Sequence, residues 1–221
     1  SRTTRTPGTV SNQLSDPETP GRHLVKPTPM RKAIARRMSQ SKQQAPHFYV
    51  SCEIGMDAAV AATAKLNEGN DSGVRVTLTA LMLKALALVL SDVPSFNAHY
   101  TEAGHELIDA INIGVAIDIP AGLIAPAILD CANLDVEQLS VRLKDLAERS
   151  KLGKLRVAEM NDASFTLSNL GMFDVSSFTA IVTPPQVAIL ATGRSRPLPR
   201  VVDGDIVVQT VMTATLSSDH R

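Results

Sequence analysis

The sequence predicts an α/β fold in which helices pack against one face of a mixed β-sheet. Segments with helical spacing of apolar residues and segments with strand-like alternation both occur, but not in the regular strand–helix–strand order of a doubly wound sheet. The chain has 221 residues, of which 44% are hydrophobic and 20% are charged, as in an ordinary globular protein. It is therefore long enough to bury a sizeable core.

The N-terminal region predicts a linker followed by a helix. Residues 1–25 are rich in Thr, Ser, Pro, Gly and Arg without any periodicity, which is typical of a flexible segment. In "MRKAIARRMSQSK", Met30, Ile34 and Met38 share one face at helical spacing. The basic residues of this helix are interpreted as a solvated surface in preference to a binding site; they are Arg31, Lys32, Arg36 and Arg37.

The middle of the chain predicts a strand, helices and two buried strands. "HFYVSCEIGM" from His47 alternates as a strand does, and Asp57 is an N-cap type of residue before a helix. The run from Thr77 to Val93 is apolar nearly all round, which predicts a helix buried on most faces. "INIGVAIDI" and "GLIAPAIL" predict buried strands around a turn, and an amphipathic helix follows from Leu134 to about Gly153.

The last third of the chain predicts strands. The segments "SFTLSN", "FTAIV" and "QVAILATG" are rich in β-forming residues, and "DIVVQTVMTATLSS" follows a "DGD" turn.

Composition excludes several classes of function. Lys plus Arg and Asp plus Glu both number 22, so the zero net charge gives no reason to expect a nucleic acid or an anionic membrane as partner. Two distant cysteines, Cys52 and Cys131, fit neither a disulfide scaffold nor a zinc site, and indicate a reducing compartment. The longest apolar run, Leu78 to Leu90, is too short to span a bilayer. Few aromatic residues and many small aliphatic ones favour self-association.

The chain ends on three reactive polar side chains. Asp219, His220 and Arg221 follow a β-prone run that starts at Thr213. The triplet is either a frayed surface tail or half of an active site.

Five separated strings decide between these interpretations. They are "TPMRKAIARRMSQSKQQAPHFYVSCEI", "INIGVAIDIPAGLIAPAI", "SFTLSNLGMF", "FTAIVTPPQVAILATG" and "VMTATLSSDHR". In order and spacing they resemble the catalytic core of dihydrolipoamide acyltransferases, over about residues 26–221. "SNLGMF" and "PPQVAILATG" are more similar to the acetyl-transferring, pyruvate-type members. The resemblance implies a fold like that of chloramphenicol acetyltransferase, in trimers with active sites between subunits.

The chain departs from the family pattern at its end and at three internal positions. The family motif D-H-R-x-x-D-G breaks off after Arg221, so the resemblance implies a truncated C-terminal end without the last motif positions and a closing helix. No lipoyl-lysine motif and no peripheral-subunit-binding segment occurs, so the core alone is expected after part of a linker. Asp174, Thr183 and Ala125 stand where the family usually has Gly, Asn and Thr.

The implied chemistry is thioester exchange between dihydrolipoamide and coenzyme A, without a metal. Only a thiolate attacks well, so the reaction needs a base with a pKa near neutrality, and the resemblance gives this role to His220. It gives Ser168 the role of donor to the oxyanion, where losing one donor costs about 3 kcal/mol. Taken alone, His220 is a surface histidine and Ser168 a turn residue.

The resemblance also implies a set of coenzyme A contacts. They are Thr77, Asp118, Asn169 and Gly193. A helix N-terminus suits phosphate oxygens, and glycine allows close backbone approach. Each also has a plain interpretation: Thr77 as an N-cap, Asp118 as a turn acid and Gly193 as the end of a strand.

Three other functions remain open at this point. They are another acyl or acetoin-type acyltransferase, a non-catalytic core scaffold, and a serine hydrolase, although no G-x-S-x-G elbow occurs. The expected partners are copies of the chain as a homotrimer in a larger core, a 2-oxo acid decarboxylase and dihydrolipoamide dehydrogenase. The lipoyl group is expected on a domain that this chain lacks. The expected location is the bacterial cytoplasm or the mitochondrial matrix.

Overall fold

The computed structural model describes residues 24–68 and 73–221. The helices are α1 (Pro29–Gln44), α2 (Asp57–Asn67), α3 (Leu78–Asp92), α4 (Val136–Lys151) and α5 (Val157–Asn161). The strands before α4 are β1 (His47–Gly55), β2 (Ala98–Thr101), β3 (Gly104–Leu107), β4 (Ile113–Val115), β5 (Ile117–Ile119), β6 (Gly122–Ile124) and β7 (Ala127–Ile128). Those after α5 are β8 (Phe165–Asn169), β9 (Ala188–Thr192), β10 (Arg196–Val202) and β11 (Asp205–Asp219). The predicted linker, residues 1–25, falls outside the described residues except for Leu24 and Val25.

A mixed sheet organises the chain. Its order is β1-β11-β9-β8-β4-β7, and β10 pairs only with β11. Strands β4, β8 and β9 run parallel, whereas β11 is antiparallel to all three strands that pair with it, β1, β9 and β10. The end of β11 and the ends of β8 and β9 therefore lie at opposite edges of the sheet. This polarity decides where the candidate site residues lie.

Helices α3 and α4 cover one face of the sheet. Leu83 of α3 and Leu139 of α4 are fully buried in one cluster with Ile113 and Leu167 of the sheet. Helix α4 begins with a capping box, in which Asp135 accepts from the amide of Gln138 and the Gln138 side chain accepts from the amide of Asp135. The predicted architecture of helices on one face of a mixed sheet is thus confirmed.

The prediction that α3 is buried on most faces is wrong for the single chain. Leu88 and Val89 are 55% and 53% exposed, and only the face with Ala80, Leu83, Ala87 and Leu90 is buried. The cause is that one helix layer packs on the sheet here, so the outer side of α3 has nothing to pack against within the described part of the chain.

The two strands predicted around residues 111–129 are each split. β4 and β7 join the large sheet, while β5 and β6 leave it as a separate two-stranded hairpin. Asp57 is not an N-cap: the N-cap of α2 is Met56, and Asp57 Oδ1 accepts a hydrogen bond from the amide of Thr210 at 3.0 Å.

Residues 178–182, predicted as a strand, form none. They belong to a stretch that crosses the sheet from one edge to the other. Near its start Val175 accepts from the amide of Arg194 at 2.8 Å, and near its end Val182 donates to His47 Nε2 at 3.0 Å. Because its bonds reach opposite edges of the sheet, the stretch does not form a ladder with one strand.

Candidate active site

His220 lies just beyond the end of β11, in an exposed position. Its backbone amide donates to the carbonyl of Pro46 at 2.9 Å. Its ring meets the ring of Phe48 edge-on, with centroids 4.9 Å apart and planes at 72°. The imidazole is thus oriented by an aromatic neighbour while one side stays open to solvent, which suits a group that exchanges protons with a substrate.

An ion pair brackets His220. The Arg221 guanidinium donates from Nε to Asp219 Oδ1 at 3.0 Å and from Nη2 to Asp219 Oδ2 at 2.6 Å. The Asp219 side chain is only 5% exposed. Burial alone raises the pKa of Asp219, but the hydrogen bonds from Arg221 outweigh it and hold this pKa below its usual value. Asp219 is therefore a carboxylate whose partner is Arg221.

His47, the other histidine at this edge, is not free to act as a base. Nε2 accepts a hydrogen bond from the amide of Val182, so it carries no proton, and Nδ1 lies 2.8 Å from the carbonyl of Ala45. Both nitrogens of the neutral ring are thus in use. We call this edge, with Phe48, Asp219, His220 and Arg221, the histidine end of the sheet.

Ser168 lies at the opposite edge, as the second-last residue of β8, just before Asn169. Strand alternation places its side chain on the face opposite to that of Leu167, away from α3 and α4. Ser168 is half-buried, and its hydroxyl has no hydrogen-bond partner among the described residues. It is free to donate to a ligand.

Asn169 orders this edge. Its Oδ1 accepts from the amide of Gly171 at 2.7 Å and from Thr192 Oγ1 at 3.1 Å, and its Nδ2 donates to Thr79 Oγ1 at 2.9 Å. Thr77, two residues earlier, caps α3 by accepting from the amide of Ala80 at 3.2 Å. The N-terminus of α3 is therefore fixed beside the end of β8.

Asp118 and Gly193 lie near the same edge. The amide of Ala116 donates to the carbonyl of Leu167 at 3.0 Å, so the hairpin that carries the exposed Asp118 leaves the sheet beside Ser168. Gly193 follows β9, and a Cβ atom there would lie 2.1 Å from the carbonyl oxygen of Ser176. Glycine is required here because the backbone of Ser176 in the same chain, and not a ligand, lies so close. We call this edge, with Thr77, Asp118, Ser168, Asn169 and Gly193, the serine end.

Ser168 and His220 do not meet within one chain. In the register of the sheet Ser168 is level with Ala191 of β9 and, one strand further, with Thr215 of β11. His220 lies five residues beyond Thr215, so the two residues are about 17 Å apart along the strands and about 10 Å across them, or about 20 Å in all.

Two contacts at these ends escaped prediction from the sequence. Thr79 lies inside an apolar helical run, and only the fold shows that it faces Asn169. Phe48 meets His220 because β1 pairs with β11 in a register that places Phe48 opposite Ser218. Once that pairing is known, the contact follows from strand alternation.

The cysteines offer no nucleophile. Burial raises the pKa of Cys131 to about 11, so its thiol stays protonated at neutral pH. Cys52 lies on β1 an odd number of residues from His47, on the other face of the strand. No cluster of metal-ligating side chains and no helix long and apolar enough to cross a membrane occurs in residues 24–68 and 73–221.

Comparison with known proteins assigns the chain to a family. Residues 20–221 match the family described as 2-oxoacid dehydrogenases acyltransferase (catalytic domain). The chain belongs to this acyltransferase family.

Members of the acyltransferase family resemble the chain over nearly its whole length. The dihydrolipoyllysine-residue acetyltransferase component of the pyruvate dehydrogenase complex from Rhizobium meliloti is 39% identical over 203 residues, which are 90% of this chain and 45% of the relative. The mitochondrial counterpart from Schizosaccharomyces pombe is 35% identical over 219 residues, 96% of this chain and 45% of the relative. The chain thus spans about half the length of these relatives.

Solved structures of the family share the fold. A probable dihydrolipoamide acetyltransferase from Listeria monocytogenes has a TM-score of 0.87 at 28% identity, over 91% of this chain and 87% of its own. The Azotobacter vinelandii dihydrolipoamide acetyltransferase, studied for the role of a serine, a histidine and an asparagine in its mechanism, has a TM-score of 0.85 at 28% identity, over 99% and 89%. The cubic core of a pyruvate dehydrogenase multienzyme complex gives the same values.

The predicted family and fold are therefore confirmed. A chloramphenicol acetyltransferase has a TM-score of 0.53 at 14% identity, over 84% of this chain and 85% of its own, which shows a shared fold alone.

Proposed function

We propose that residues 26–221 form the catalytic core of a dihydrolipoamide acetyltransferase, which passes an acetyl group between dihydrolipoamide and coenzyme A. The observation that carries the proposal is the free hydroxyl of Ser168 at one end of the sheet and the oriented, open imidazole of His220 at the other. Each end holds half of what thioester exchange requires: an oxyanion donor and a base.

The two halves belong to one site only if two copies of the chain meet. With about 20 Å between Ser168 and His220 in one chain, the hydroxyl of one copy must face the imidazole of the next. Ser168 is only half-buried, so part of its side chain is accessible to a second copy. A closed ring such as a trimer satisfies this head-to-tail contact for every copy.

The steps follow from the thiol chemistry. His220 takes the proton of the coenzyme A thiol, and the thiolate sulfur attacks the carbonyl carbon of acetyl-dihydrolipoamide. The negative oxygen of the tetrahedral intermediate accepts a hydrogen bond from Ser168. When the intermediate collapses, the bond to the lipoyl sulfur breaks, and that sulfur takes the proton back from His220. The exchange is reversible and leaves the protein unchanged.

The serine end supports coenzyme A binding. Thr77 and Asn169 lie at the N-terminus of α3, where backbone amides and the helix dipole favour phosphate oxygens, and Gly193 and Asp118 belong to the same end of the sheet. The lipoyl group would arrive on a lipoyl domain. The proposed partners are a 2-oxo acid decarboxylase and dihydrolipoamide dehydrogenase, in the bacterial cytoplasm or the mitochondrial matrix, as the bacterial and mitochondrial relatives suggest.

The acyl group is a separate question. Ala125 and Thr183, two of the departures from the family pattern, line one cavity of about 330 Å³ together with Ile34, Met38, Leu123 and Met160. To determine which acyl group is transferred, assays compare acetyl-CoA with longer and branched acyl-CoAs. A preference for a branched acyl group would assign the chain to another 2-oxo acid complex while leaving the reaction type unchanged.

The test mixes two inactive variants of the full gene product. His220→Ala and Ser168→Ala subunits are co-refolded in equal amounts, and acetyl-dihydrolipoamide formed from acetyl-CoA is measured. Random assembly leaves a wild-type His facing a wild-type Ser in about one quarter of the interfaces, so about one quarter of wild-type activity should return.

Three outcomes contradict the proposal. If the mixture stays inactive while refolded wild type recovers, the site does not lie between copies. Release of free acetate without transfer to the dithiol would instead indicate a hydrolase. If the wild-type protein neither transferred nor hydrolysed the acetyl group, a non-catalytic scaffold would be the remaining interpretation.

A further inference from the structure

Tyr100, on the β2–β3 hairpin, lies against the end of the chain that carries His220. Its ring faces the Arg221 guanidinium, whose Cζ atom is 3.7 Å from the ring centroid. The backbone amide of Tyr100 donates to the carbonyl of Pro185 at 2.8 Å, so the hairpin is itself fixed to the segment before β9. The aromatic ring is thus a rigid support for Arg221.

Arg221 is held in two perpendicular directions. The edge of its guanidinium bonds both oxygens of Asp219, and its face stacks on Tyr100. Asp219 is its only ion-pair partner among the described residues. The ring of Tyr100 therefore supplies the second restraint on the Arg221 side chain, beside its ion pair with Asp219.

The backbone around His220 has few restraints of its own. The ladder between β1 and β11 ends with the pair His47 and Asp219, and beyond it two backbone amides are bonded, that of His220 to the carbonyl of Pro46 and that of Arg221 to Asp219 Oδ1 at 3.1 Å. Strand ends with so few bonds open easily. Asp219 is already held by the ladder and by its amide bond to Val187, so fixing Arg221 restrains the backbone on the other side of His220.

We infer that Tyr100 is a positioning residue for His220 and acts through Arg221. The inference rests on the proposed role of His220 as the base. A base must hold its nitrogen within hydrogen-bond reach of the thiol, and an error of about 1 Å can cost up to about 100-fold in rate. Coenzyme A binding should not depend on Tyr100, since the proposed contacts lie at the serine end.

Three substitutions distinguish the contribution of the aromatic face of Tyr100 from that of its side-chain volume. Tyr100→Phe and Tyr100→Trp keep a ring for Arg221, whereas Tyr100→Leu keeps bulk without a π face. In the full gene product, Tyr100→Leu should lower kcat by about 10- to 100-fold with KM for coenzyme A within about twofold, and the two aromatic variants should stay near wild type. Wild-type kcat in Tyr100→Leu, or an equal loss in Tyr100→Phe, would overturn the inference.

A double-mutant cycle tests the route through Arg221. If Tyr100 acts through Arg221, adding Tyr100→Leu to Arg221→Gln should change kcat by less than about twofold. Full additivity would show that Tyr100 acts by another path and would overturn the inference.

A measurement that needs no catalytic turnover tests the positioning role of Tyr100 independently of the proposed function. Hydrogen exchange of the His220 amide should be about 10-fold faster in Tyr100→Leu and unchanged in Tyr100→Phe, because the bond to Pro46 loses its support. If wild type transfers no acetyl group, the proposed function fails, and the exchange rates still decide whether Tyr100 orders His220. Equal exchange rates in all variants would overturn the positioning role.

Discussion

Asn169 Nδ2 donates to Thr79 Oγ1 across 2.9 Å, and this bond fastens the end of β8 to the first turn of α3. The same amide group accepts from Gly171 and from Thr192, so one side chain joins a strand end, a turn, a neighbouring strand and a helix. The residue after the candidate oxyanion donor thus holds together the edge at which coenzyme A is proposed to bind.

Replacing Asn169 by Ala should loosen this edge. Three hydrogen bonds are lost and Thr79 and Thr192 keep unpaired hydroxyls, so the free energy of unfolding should fall by about 1–3 kcal/mol and the Kd for coenzyme A should rise. Denaturant unfolding and calorimetric titration measure the two effects. The control, Thr79→Ser, keeps the hydroxyl and should stay near wild type; equal losses in both variants would contradict the role of this bond.

His220→Ala should remove most of the turnover and leave the fold intact. The side chain is exposed and lies beyond the sheet, while general-base catalysis contributes about 100- to 10,000-fold. Acetyl-dihydrolipoamide formation measures the rate, and circular dichroism and sedimentation check the fold and assembly. Turnover near wild type would refute the assignment of His220 as the base.

Ser168→Ala should lower kcat by about 100-fold while the affinity for coenzyme A stays nearly constant. The oxyanion exists only during the reaction, so its donor contributes to the transition state and little to ground-state binding. Steady-state kinetics together with direct binding of coenzyme A separates these terms. A matching loss of affinity would make Ser168 a ligand contact instead.

Glu159→Gln should destabilise the chain in a pH-dependent way. The Glu159 side chain is 7% exposed and accepts two hydrogen bonds of 2.6 Å from Arg149, which is the main reason that its pKa lies below the usual value. Losing a buried partner should cost about 2–3 kcal/mol at pH 7, since Arg149 keeps its bond to Asp145.

The sign of the pH effect follows from the lowered pKa. Glu159 stabilises the wild type fully above its unfolded pKa of about 4.3, and this contribution is lost as the pH falls through the lower pKa of the folded state. Unfolding free energies of wild type and Glu159→Gln should therefore converge in acid. Asp145→Asn, at a side chain 47% exposed, is the control and should cost less than about 1 kcal/mol. A constant gap between wild type and Glu159→Gln down to low pH would contradict the ion-pair explanation.

Gly193→Ala should destabilise the fold, because the new Cβ would lie 2.1 Å from the Ser176 carbonyl and the crossing stretch would have to move. A loss of about 1–3 kcal/mol in thermal or denaturant unfolding is expected. Gly153→Asn is the control: its φ of 65° suits asparagine and no atom lies within 4 Å of the new Cβ, so the cost should stay below about 1 kcal/mol. Equal costs at both positions would show that the clash is relieved without strain.

Local sequence patterns predicted the elements whose formation depends little on long-range contacts. Helices α1 and α4 followed from the spacing of their apolar residues, and the turn at Asp203 and Gly204 from its residue types. β10 was missed because Pro197 and Pro199 lie within it; prolines are tolerated there because β10 pairs on one side only, with β11. Strand periodicity cannot show whether residues 178–182 find a partner strand.

Family resemblance predicted the residues of the candidate site and a location between subunits, but not how far the fold separates Ser168 from His220 within one chain. The strings around Ser168 and His220 identify both through family resemblance. Their separation depends on the order β11-β9-β8 and on the antiparallel course of β11, which are properties of long-range pairing. The contact of His220 with Phe48 depends on the pairing of β1 with β11, and that of Arg221 with Tyr100 depends on the position of the β2–β3 hairpin, so neither leaves a local signal.

In the proposed assembly, the opposite positions of Ser168 and His220 would make each copy a participant in two different sites. In a head-to-tail ring, a chain that lacks both side chains spoils the site on its left and the site on its right. Activity in mixtures with wild type should then fall as the square of the wild-type fraction, whereas sites contained within single chains would be lost only in proportion. In the proposed assembly, one damaged copy would therefore inactivate sites shared with both neighbours, and a double variant would act as a dominant inhibitor.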